Sequence, residues 1–253
     1  MSPDKTGMYR ALIKIETSKR ALLPADELHH LLRVRRSQMG DTFVGLDGMG
    51  KVYLCSLERE KSQWYGKILE MIENVEASPL QLTLGQALIK KDKFEWVIQK
   101  ATELGVSQIV PLLSTRTELK LTPEREARRM HRWRKILIEA VKQCGCPRIP
   151  QLRNPTPLEE YLSESQDQVR LALDENGGMP LNQLIENKKD QLSYLVLIGP
   201  EGGWADQDRT LFEQHGVTPV YLGPRILRTE TAPIAVLSIL QYELGDLSRQ
   251  ETA

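Results

Sequence analysis

The strongest constraint on the fold is an alternation, from Leu80 onward, between short apolar segments and longer segments whose apolar residues recur every three or four positions. The first apolar segment, 82–89, predicts a strand. The next segment predicts a helix that ends near Gly105, with apolar positions at Phe94, Val97, Ile98, Ala101 and Leu104. Strands that alternate with helices form parallel sheets, which bind ligands beyond the carboxyl ends of their strands. Residues 79–248 are therefore predicted to form one parallel α/β domain.

The same criteria predict the other elements of this domain. Further strands are expected at 109–113, 169–173, 194–198 and 219–222, and further helices at 122–145, 180–186, 206–215 and 231–244. Pro123 fits the first turn of the longest helix, because its missing N–H would be unpaired there anyway. The segment 147–157 is predicted to be a loop.

Residues 1–75 have a different pattern, that of short strands joined by turns. Four segments are rich in strand-favouring residues: 10–15, 41–46, 51–57 and 64–71. Asp47-Gly48 is a typical hairpin turn, and one short helix is predicted at 25–32. Short strands of this kind favour a small β-barrel, an architecture that often binds RNA. We expect a first domain at 1–75, joined by a short linker to the second at 79–248.

The charge of the chain is unevenly distributed. Its 253 residues include 34 basic and 34 acidic side chains, so the formal net charge is zero, yet residues 116–153 carry +7 and residues 154–253 carry −9. The basic segment coincides with the longest predicted helix and includes Arg125, Arg128, Arg129, Arg132, Arg134 and Lys135. Clustered cations fit a polyanionic partner such as RNA. The alternative is a helix face that contacts only solvent.

The sequence predicts neither a membrane span nor an export signal. Its longest nearly apolar run, 232–240, is about half the length that a bilayer requires, and no signal-peptide core follows the polar start. We therefore expect a cytoplasmic protein in which Cys55, Cys144 and Cys146 are free thiols. The Cys144-Gly145-Cys146 spacing is too short for a zinc-binding pair and no second pair accompanies it, so no metal site is expected.

Two of the predicted strands are followed at once by glycine and proline. The first loop is Ile198-Gly199-Pro200-Glu201-Gly202-Gly203-Trp204, and the second loop runs from Leu222-Gly223-Pro224 through Arg228-Thr229-Glu230 to Ala232. Glycine lets the backbone approach a ligand closely and leaves amides free to bind it. Taken alone, each loop is equally consistent with a tight strand-to-helix turn. Neither has the glycine spacing of a dinucleotide site or a P-loop.

Together and in this order, the two loops resemble the paired cofactor loops of the SPOUT methyltransferases, and most closely those of the bacterial small-subunit ribosomal RNA (uracil-N3)-methyltransferases. Other motifs similar to this family are His29-His30-Leu31-Leu32-Arg33-Val34 with Arg36, Lys91-Asp92-Lys93-Phe94-Glu95-Trp96, Ala101-Thr102-Glu103-Leu104-Gly105 and Gln143-Cys144-Gly145. The resemblance covers nearly the whole chain. Ala205 departs from it, because the family usually has a Ser or Thr helix cap there, and Asp206 is the expected substitute.

The resemblance implies an α/β fold in which a trefoil-knotted parallel-sheet methyltransferase domain follows a small PUA-like β-barrel domain. It implies S-adenosylmethionine as methyl donor, S-adenosylhomocysteine as product, and no metal. The implied reaction is methylation of N3 of a specific uridine in 16S rRNA, within the small ribosomal subunit, by a homodimer. Two alternatives stay open: a non-catalytic RNA-binding or ribosome-assembly factor, and an enzyme acting on nucleotide phosphates, although neither loop contains a phosphate-binding lysine.

The two loops are expected to hold the cofactor between apolar walls, with backbone groups binding adenine and ribose. The predicted binding residues are Ile198, Gly199, Pro200, Glu201, Gly202, Gly203, Leu222, Gly223, Ile226, Leu227, Arg228, Thr229 and Ala232. Arg228 is the candidate for stabilising negative charge that develops on the uracil carbonyls. Glu201 and Glu230 are weaker candidates for accepting the N3 proton, because a Glu near a helix start often serves the helix dipole instead.

Nine residues are candidates for RNA binding, with a solvated surface charge as the alternative for each and helix packing as a further alternative for His30. They are Arg10, His30, Arg33, Arg36, Lys91, Lys93, Arg116, Lys142 and Arg148. An extruded uracil would stack on an aromatic or arginine plane. Trp204 is one candidate for that contact, with burial in the core as the alternative.

Overall fold

The computed structural model describes residues 8–75, 78–118 and 122–248, without the side chain of Lys91. Within these ranges the chain forms two compact units. Unit 1 contains the described residues up to Val75 together with Val141–Ile149, and unit 2 contains Ser78–Ala140 together with the described residues from Pro150 onward. The segment Val141–Ile149, which the sequence analysis assigned to the second domain, therefore groups with unit 1.

Unit 1 is a six-stranded sheet with one short helix. Its strands are β1 (Arg10–Leu12), β2 (Lys14–Thr17), β3 (Arg20–Leu22), β4 (Thr42–Leu46), β5 (Lys51–Glu60) and β6 (Gln63–Asn74), in the spatial order β1-β4-β5-β6-β3-β2. Helix α1 (Ala25–His29) continues as a π-helical turn, His30–Val34.

This sheet closes on itself. β1 and β2 lie at opposite ends of the strand order, yet only Ile13 separates them in the chain, so the sheet curves until its two edges approach each other. The enclosed core consists of buried Ala11, Ile13, Ala21, Leu31, Phe43, Cys55 and Leu57. Burial raises the pKa of the Cys55 thiol to about 12, so this cysteine is a packing residue and not a reactive one. The predicted small strand-rich barrel is confirmed.

Unit 2 is built around an eight-stranded parallel sheet. Its strands are β7 (Gln81–Ala87), β8 (Gln108–Leu113), β9 (Gln151–Leu152), β10 (Thr156–Pro157), β11 (Val169–Leu173), β12 (Met179–Pro180), β13 (Ser193–Ile198) and β14 (Thr218–Tyr221). The spatial order is β10-β8-β7-β13-β11-β14-β12, with β9 also paired to β8, and every pairing is parallel. The predicted parallel α/β architecture is confirmed.

Six helices accompany this sheet in the described part of the chain. They are α2 (Lys91–Glu103), α3 (Pro123–Cys144), α4 (Leu158–Glu164), α5 (Leu181–Lys188), α6 (Asp206–Gln214) and α7 (Thr231–Glu243). None of the described helices combines the length and apolarity needed to cross a membrane. The trefoil knot that the resemblance implies stays a prediction.

The sequence analysis missed the elements between residues 147 and 164. The predicted loop 147–157 contains β9 and β10, and helix α4 follows directly. Strands of two residues are too short to show a period, and α4 has only seven residues, of which Leu158, Tyr161 and Leu162 are buried. Periodicity is informative only over longer windows.

The carboxyl ends of the central strands β11, β13 and β14 lie at the same edge of the sheet. β13 lies between β7 and β11, and four consecutive residues of β13, 195–198, are almost fully buried. A central parallel strand covered on both faces has this continuous apolar character. Because β13, β11 and β14 are neighbours, the segments that leave their carboxyl ends start side by side.

Candidate functional site

A cavity of about 650 Å³ lies in unit 2 at the carboxyl ends of β11, β13 and β14. Its walls are formed by segment 174–177 after β11, the first loop after β13, and the second loop after β14. This is where ligands bind in open parallel sheets, and the volume is within the range of small-molecule sites.

Twelve of the thirteen residues predicted to bind the cofactor line this cavity. Gly202 is not among the lining residues; its carbonyl oxygen accepts a hydrogen bond from Arg116 Nη1 at 2.5 Å. The structure thus brings the two predicted loops together around one space. The contact that each residue makes with a ligand stays a prediction.

Trp204 fixes the first loop to the sheet. Its ring is only 1% exposed, and its indole N–H donates to the carbonyl oxygen of Leu173 at 2.9 Å. A Cβ added at Gly199 would lie 3.3 Å from the Trp204 ring, so a side chain at Gly199 would press on this indole. Trp204 is therefore a buried core residue that supports the cavity. Its ring is not exposed for stacking on an extruded uracil.

Thr229 links the two loops. Its hydroxyl donates to the carbonyl oxygen of Gly199 at 2.6 Å and accepts a hydrogen bond from Gln86 Nε2 at 3.3 Å. Gln86 lies near the carboxyl end of β7, is fully buried, and also donates to the carbonyl oxygen of Ala87 at 3.1 Å. Gln86 was not among the predicted site residues, although a polar residue inside the apolar run 82–89 is a signal for a special role.

The charged candidates differ in their surroundings. Arg228 and Glu201 are exposed and line the cavity. Glu230 is largely buried, and its Oε2 lies 3.0 Å from Lys93 Nζ. Burial raises the pKa of the Glu230 carboxyl, but the adjacent Lys93 ammonium, the backbone N–H of Glu230 and the charge of Arg228 together hold that pKa below its usual value. A carboxylate held in this way is a weak proton acceptor.

The segment after β11 is a third wall that the sequence analysis did not predict. Asp174 is buried and forms two bonds with Arg209 of α6, from Nε to Oδ2 at 2.7 Å and from Nη2 to Oδ1 at 3.1 Å. Burial raises the pKa of Asp174, but Arg209 and the backbone N–H of Asn176 outweigh it, so the pKa is lowered. Acidic residues followed by Asn176 and two glycines after a strand were the available signal.

Helix α6 is capped by a residue other than the expected one. Asp208 Oδ2 accepts a hydrogen bond from the backbone N–H of Ala205 at 2.9 Å, whereas the predicted substitute, Asp206, forms an ion pair with Arg209. Asp208 Oδ1 also accepts from the backbone N–H and hydroxyl of Thr115. The buried Asp208 carboxylate thus accepts a hydrogen bond from the backbone at the start of α6 and also holds the segment after β8 against this helix.

In unit 1, three of the predicted RNA-binding residues are engaged in internal contacts. Lys142 is only 8% exposed, and its Nζ lies 3.1 Å from both Glu27 Oε1 and Tyr9 OH. Arg10 donates to the carbonyl oxygen of Lys142 at 3.3 Å, and His30 stacks on Tyr9 with ring centroids 4.7 Å apart. The ammonium of Lys142 is not accessible to RNA in this arrangement, and His30 follows the packing alternative.

The remaining unit 1 candidates are exposed. Arg33 and Arg36 lie on the surface, and Arg36 adopts a left-handed backbone conformation at φ 56°. Arg148 is also exposed and donates from Nη2 to the carbonyl oxygen of Val75 at 3.2 Å. These three guanidinium groups are accessible to a polyanion.

Unit 2 contains the predicted RNA-binding residues Lys91, Lys93 and Arg116 and most of the basic segment, which lies on α3. Lys93 and Arg116 make the contacts with Glu230 and Gly202 described above, and the side chain of Lys91 lies outside the described residues. Helix α3 exposes most of its basic side chains, namely Arg125, Arg128, Arg132, Arg134 and Lys135. Arg132 forms an ion pair with Glu95 of α2.

Comparison with known families matches both parts of the chain. The model of an RNA methyltransferase domain matches residues 76–241, and the model of an RNA methyltransferase PUA domain matches residues 23–68. The first match covers more than half of the chain, including the whole cavity lining.

Individual proteins are similar over nearly the full length. Ribosomal RNA small subunit methyltransferase E of Bacillus subtilis is 31% identical over 238 residues, covering 91% of this chain and 93% of that protein. The enzyme of the same name from Neisseria gonorrhoeae, solved bound to S-adenosyl methionine, is 30% identical with a TM-score of 0.84, covering 95% and 99%. A Legionella pneumophila protein solved with the bound cofactor SAM is 35% identical with a TM-score of 0.86 and the same coverage.

Proposed function

Because the chain belongs to the ribosomal RNA small subunit methyltransferase E family of RNA methyltransferases, we propose that it transfers a methyl group from S-adenosylmethionine to N3 of a uridine in 16S rRNA. The observation that carries this proposal is the convergence of both predicted loops on one cavity at the carboxyl edge of the sheet. The relatives are bacterial ribosomal RNA enzymes, so we also propose a cytoplasmic location and the small ribosomal subunit as the substrate particle.

The residues around the cavity fit S-adenosylmethionine. Leu222, Ile226 and Leu227 supply apolar walls for the adenine ring, and Gly199 and Gly223 leave backbone groups close to the space. Carboxylates of Glu175 and Glu201 also line it, which suits a donor that carries positive charge on its sulfonium and ammonium groups. Bound S-adenosylmethionine supplies an activated methyl group that needs no metal or further activation.

The chain's own residues then have to hold the uracil in line and stabilise its charge. When N3 loses its proton, negative charge spreads over the two carbonyl oxygens of the ring. Arg228, exposed at the cavity, is proposed to donate hydrogen bonds to one of these oxygens. Glu201, an exposed carboxylate on the first loop, is the proposed acceptor for the N3 proton, directly or through water. Close alignment of the reacting groups supplies much of the remaining acceleration.

RNA binding is proposed for two surfaces, one on each unit. Unit 1 offers Arg33, Arg36 and Arg148, whose guanidinium groups are exposed. Unit 2 offers the basic face of α3, where Arg125 and Arg128 project into solvent at a spacing of three residues. Such contacts to phosphates position RNA without reading its sequence.

A homodimer is proposed with α7 in the interface. Before its last residue, Glu243, this helix carries no charged side chain, yet Ile239 is 38% exposed and Tyr242 is 59% exposed. Trp96 of α2, which packs beside α7, is 42% exposed. A second copy of the chain would cover these apolar side chains.

The direct test is methylation of small ribosomal subunits that lack the modification, with isotopically labelled S-adenosylmethionine and identification of the product nucleoside. We expect label in 3-methyluridine. Label in another nucleoside would contradict the N3 assignment. Binding of RNA without any transfer would favour the alternative of a non-catalytic ribosome-assembly factor.

A further inference from the structure

One ion pair at the cavity joins the starts of two helices. Lys93 is the third residue of α2, Glu230 immediately precedes α7, and the Lys93 Nζ to Glu230 Oε2 distance is 3.0 Å. Both residues line the cavity, and the side chains are 33% and 17% exposed, respectively. The Lys93 side chain is therefore held at the cavity and stays partly exposed there.

The pair gives Glu230 a different role from that of a base. Lys93 and Arg228 both favour the charged form of this carboxyl, and proton acceptance would require breaking the ion pair. A carboxylate that is already neutralised by an ammonium is well suited to hold that ammonium in place. Glu230 thus affects the reaction indirectly, by fixing the position of Lys93.

The proposed methylation at N3 would be favoured by donors that face the uracil carbonyl oxygens. The N3 proton leaves to solvent, either directly or through Glu201, and the electron pair left behind is shared between N3 and the carbonyl oxygens O2 and O4. Arg228 can face one of these oxygens, which leaves the second oxygen for another donor. Arg225 and Lys93 both line the cavity, but Lys93 is the one whose ammonium is held there by an ion pair with Glu230. Preorganised donors aimed at developing negative charge typically contribute about 10²–10³ in rate each.

We propose that Lys93 is a catalytic residue that donates a hydrogen bond to a uracil carbonyl oxygen, and that Glu230 is the positioning residue that holds its ammonium. This inference rests on the proposed function. It reassigns Lys93 from binding RNA phosphates to binding the reacting base. The other charged groups that line the cavity are Asp174, Glu175, Glu201, Arg225 and Arg228, of which Asp174 is neutralised by Arg209.

The test compares Lys93→Met, Lys93→Arg and Glu230→Gln with the wild-type protein. Lys100→Met is the matched control, because Lys100 lies on the same helix and is ion-paired with Glu103 at 2.8 Å outside the cavity. For each variant we would measure the single-turnover methylation rate against pH at saturating RNA and donor, donor affinity by calorimetry, and RNA affinity against salt.

We expect Lys93→Met to lower the rate at neutral pH by about 10²-fold or more, with donor and RNA affinities close to wild type. The loss should shrink as pH rises, because hydroxide then supplies the deprotonated base that Lys93 no longer stabilises. Lys93→Arg should recover part of the rate, and Glu230→Gln should lose less than Lys93→Met. Lys100→Met should behave as wild type.

A second measurement is independent of activity. Because Lys93 lowers the pKa of Glu230, removing its ammonium in Lys93→Met should raise that pKa, as seen by carboxyl NMR titration, whereas Lys100→Met should leave it unchanged. An unchanged Glu230 pKa would show that the ion pair does not form.

Three results would overturn the proposal. The methylation rate of Lys93→Met could equal that of the wild type, or Lys93→Met could lose only RNA affinity, which would make Lys93 a phosphate contact. The rate of Glu230→Gln could also fall further than that of Lys93→Met, which would make Glu230 the base. Failure of the proposed function is recognised separately, because the wild-type protein itself would then not methylate uridine.

Discussion

The hydroxyl of Thr229 donates to the carbonyl oxygen of Gly199 at 2.6 Å, and this bond joins the two loops that form the cavity. The residues are 30 positions apart in the chain and follow different strands. Gln86, on a third strand, donates to the same hydroxyl. The relative position of the loops is thus fixed by a short chain of hydrogen bonds that is anchored in the buried sheet.

Replacing Thr229 by Val should separate the loops without changing side-chain volume much. The variant removes the bond from Thr229 to the Gly199 carbonyl, while Gln86 Nε2 keeps its bond to the Ala87 carbonyl; leaving the Gly199 oxygen unpaired should cost about 1–3 kcal/mol. We expect calorimetry to show donor affinity about tenfold weaker, and Thr229→Ser to restore it. The control is Thr210→Val on α6, whose hydroxyl donates only to the carbonyl oxygen of Asp206. Equal affinity in Thr229→Val and wild type would contradict the role of this bond.

Gly223→Ala should weaken donor binding through backbone strain alone. Gly223 has φ +86°, and an added Cβ would meet nothing within 4 Å. The left-handed conformation costs a residue with a Cβ about 1–2 kcal/mol, so the loop should relax away from its binding shape. Gly216→Ala is a matched control, since Gly216 has φ +63°, similar open space and a position outside the cavity. A comparable loss of affinity in both variants would argue against a specific role for Gly223.

Arg228→Ala should lower turnover more than donor affinity. Its guanidinium is exposed at the cavity and is proposed to act on the uracil carbonyls, so its removal should cost about 10²–10³ in single-turnover rate. Calorimetry should show donor binding close to wild type. Turnover that stays at the wild-type level with saturating substrates would remove Arg228 from the transition state.

The double variant Arg125→Ala with Arg128→Ala should weaken RNA binding in a salt-dependent manner. Each phosphate contact that is lost should reduce the slope of log affinity against log salt by about 0.7–0.9. Lys188→Ala with Lys189→Ala, at the end of α5 and directly after it, removes the same charge from another exposed surface and serves as control. If the two double variants have the same slope, α3 is not part of the RNA-binding surface.

Tyr242→Glu should dissociate the proposed homodimer. A charge placed among the exposed apolar side chains of α7 would have to lose its hydration in the interface, which is costly without a partner. Sedimentation velocity should show a shift toward monomer. Leu192→Glu, at an apolar residue that is 46% exposed and directly precedes β13, should not change the mass. An unshifted Tyr242→Glu sample would place the interface elsewhere.

Periodicity predicted the long elements well and the short ones poorly. The helix from Pro123 and the apolar strand that ends at Ile198 carry enough residues for their spacing to be read directly. Helix α4 and strands β9 and β10 do not, because seven or two residues complete too few turns or pleats. The capping of α6 by Asp208 was missed for a related reason, since a buried carboxylate is recognised by its donors and not by its position in the chain.

The sequence by itself determined the fold class, the two loops and the family, because these depend on local patterns: apolar spacing, glycine and proline after strands, and motifs read in order. Only the tertiary structure decided which charges are available. Lys142 and Arg33 are both basic residues predicted to bind RNA, yet Lys142 is buried against Glu27 while Arg33 lies in solvent. Likewise Glu201 and Glu230 both precede helices, but only Glu230 is neutralised by a lysine from another helix. The availability of a charge depends on desolvation and on partners that are distant in the chain, and neither is encoded by local spacing.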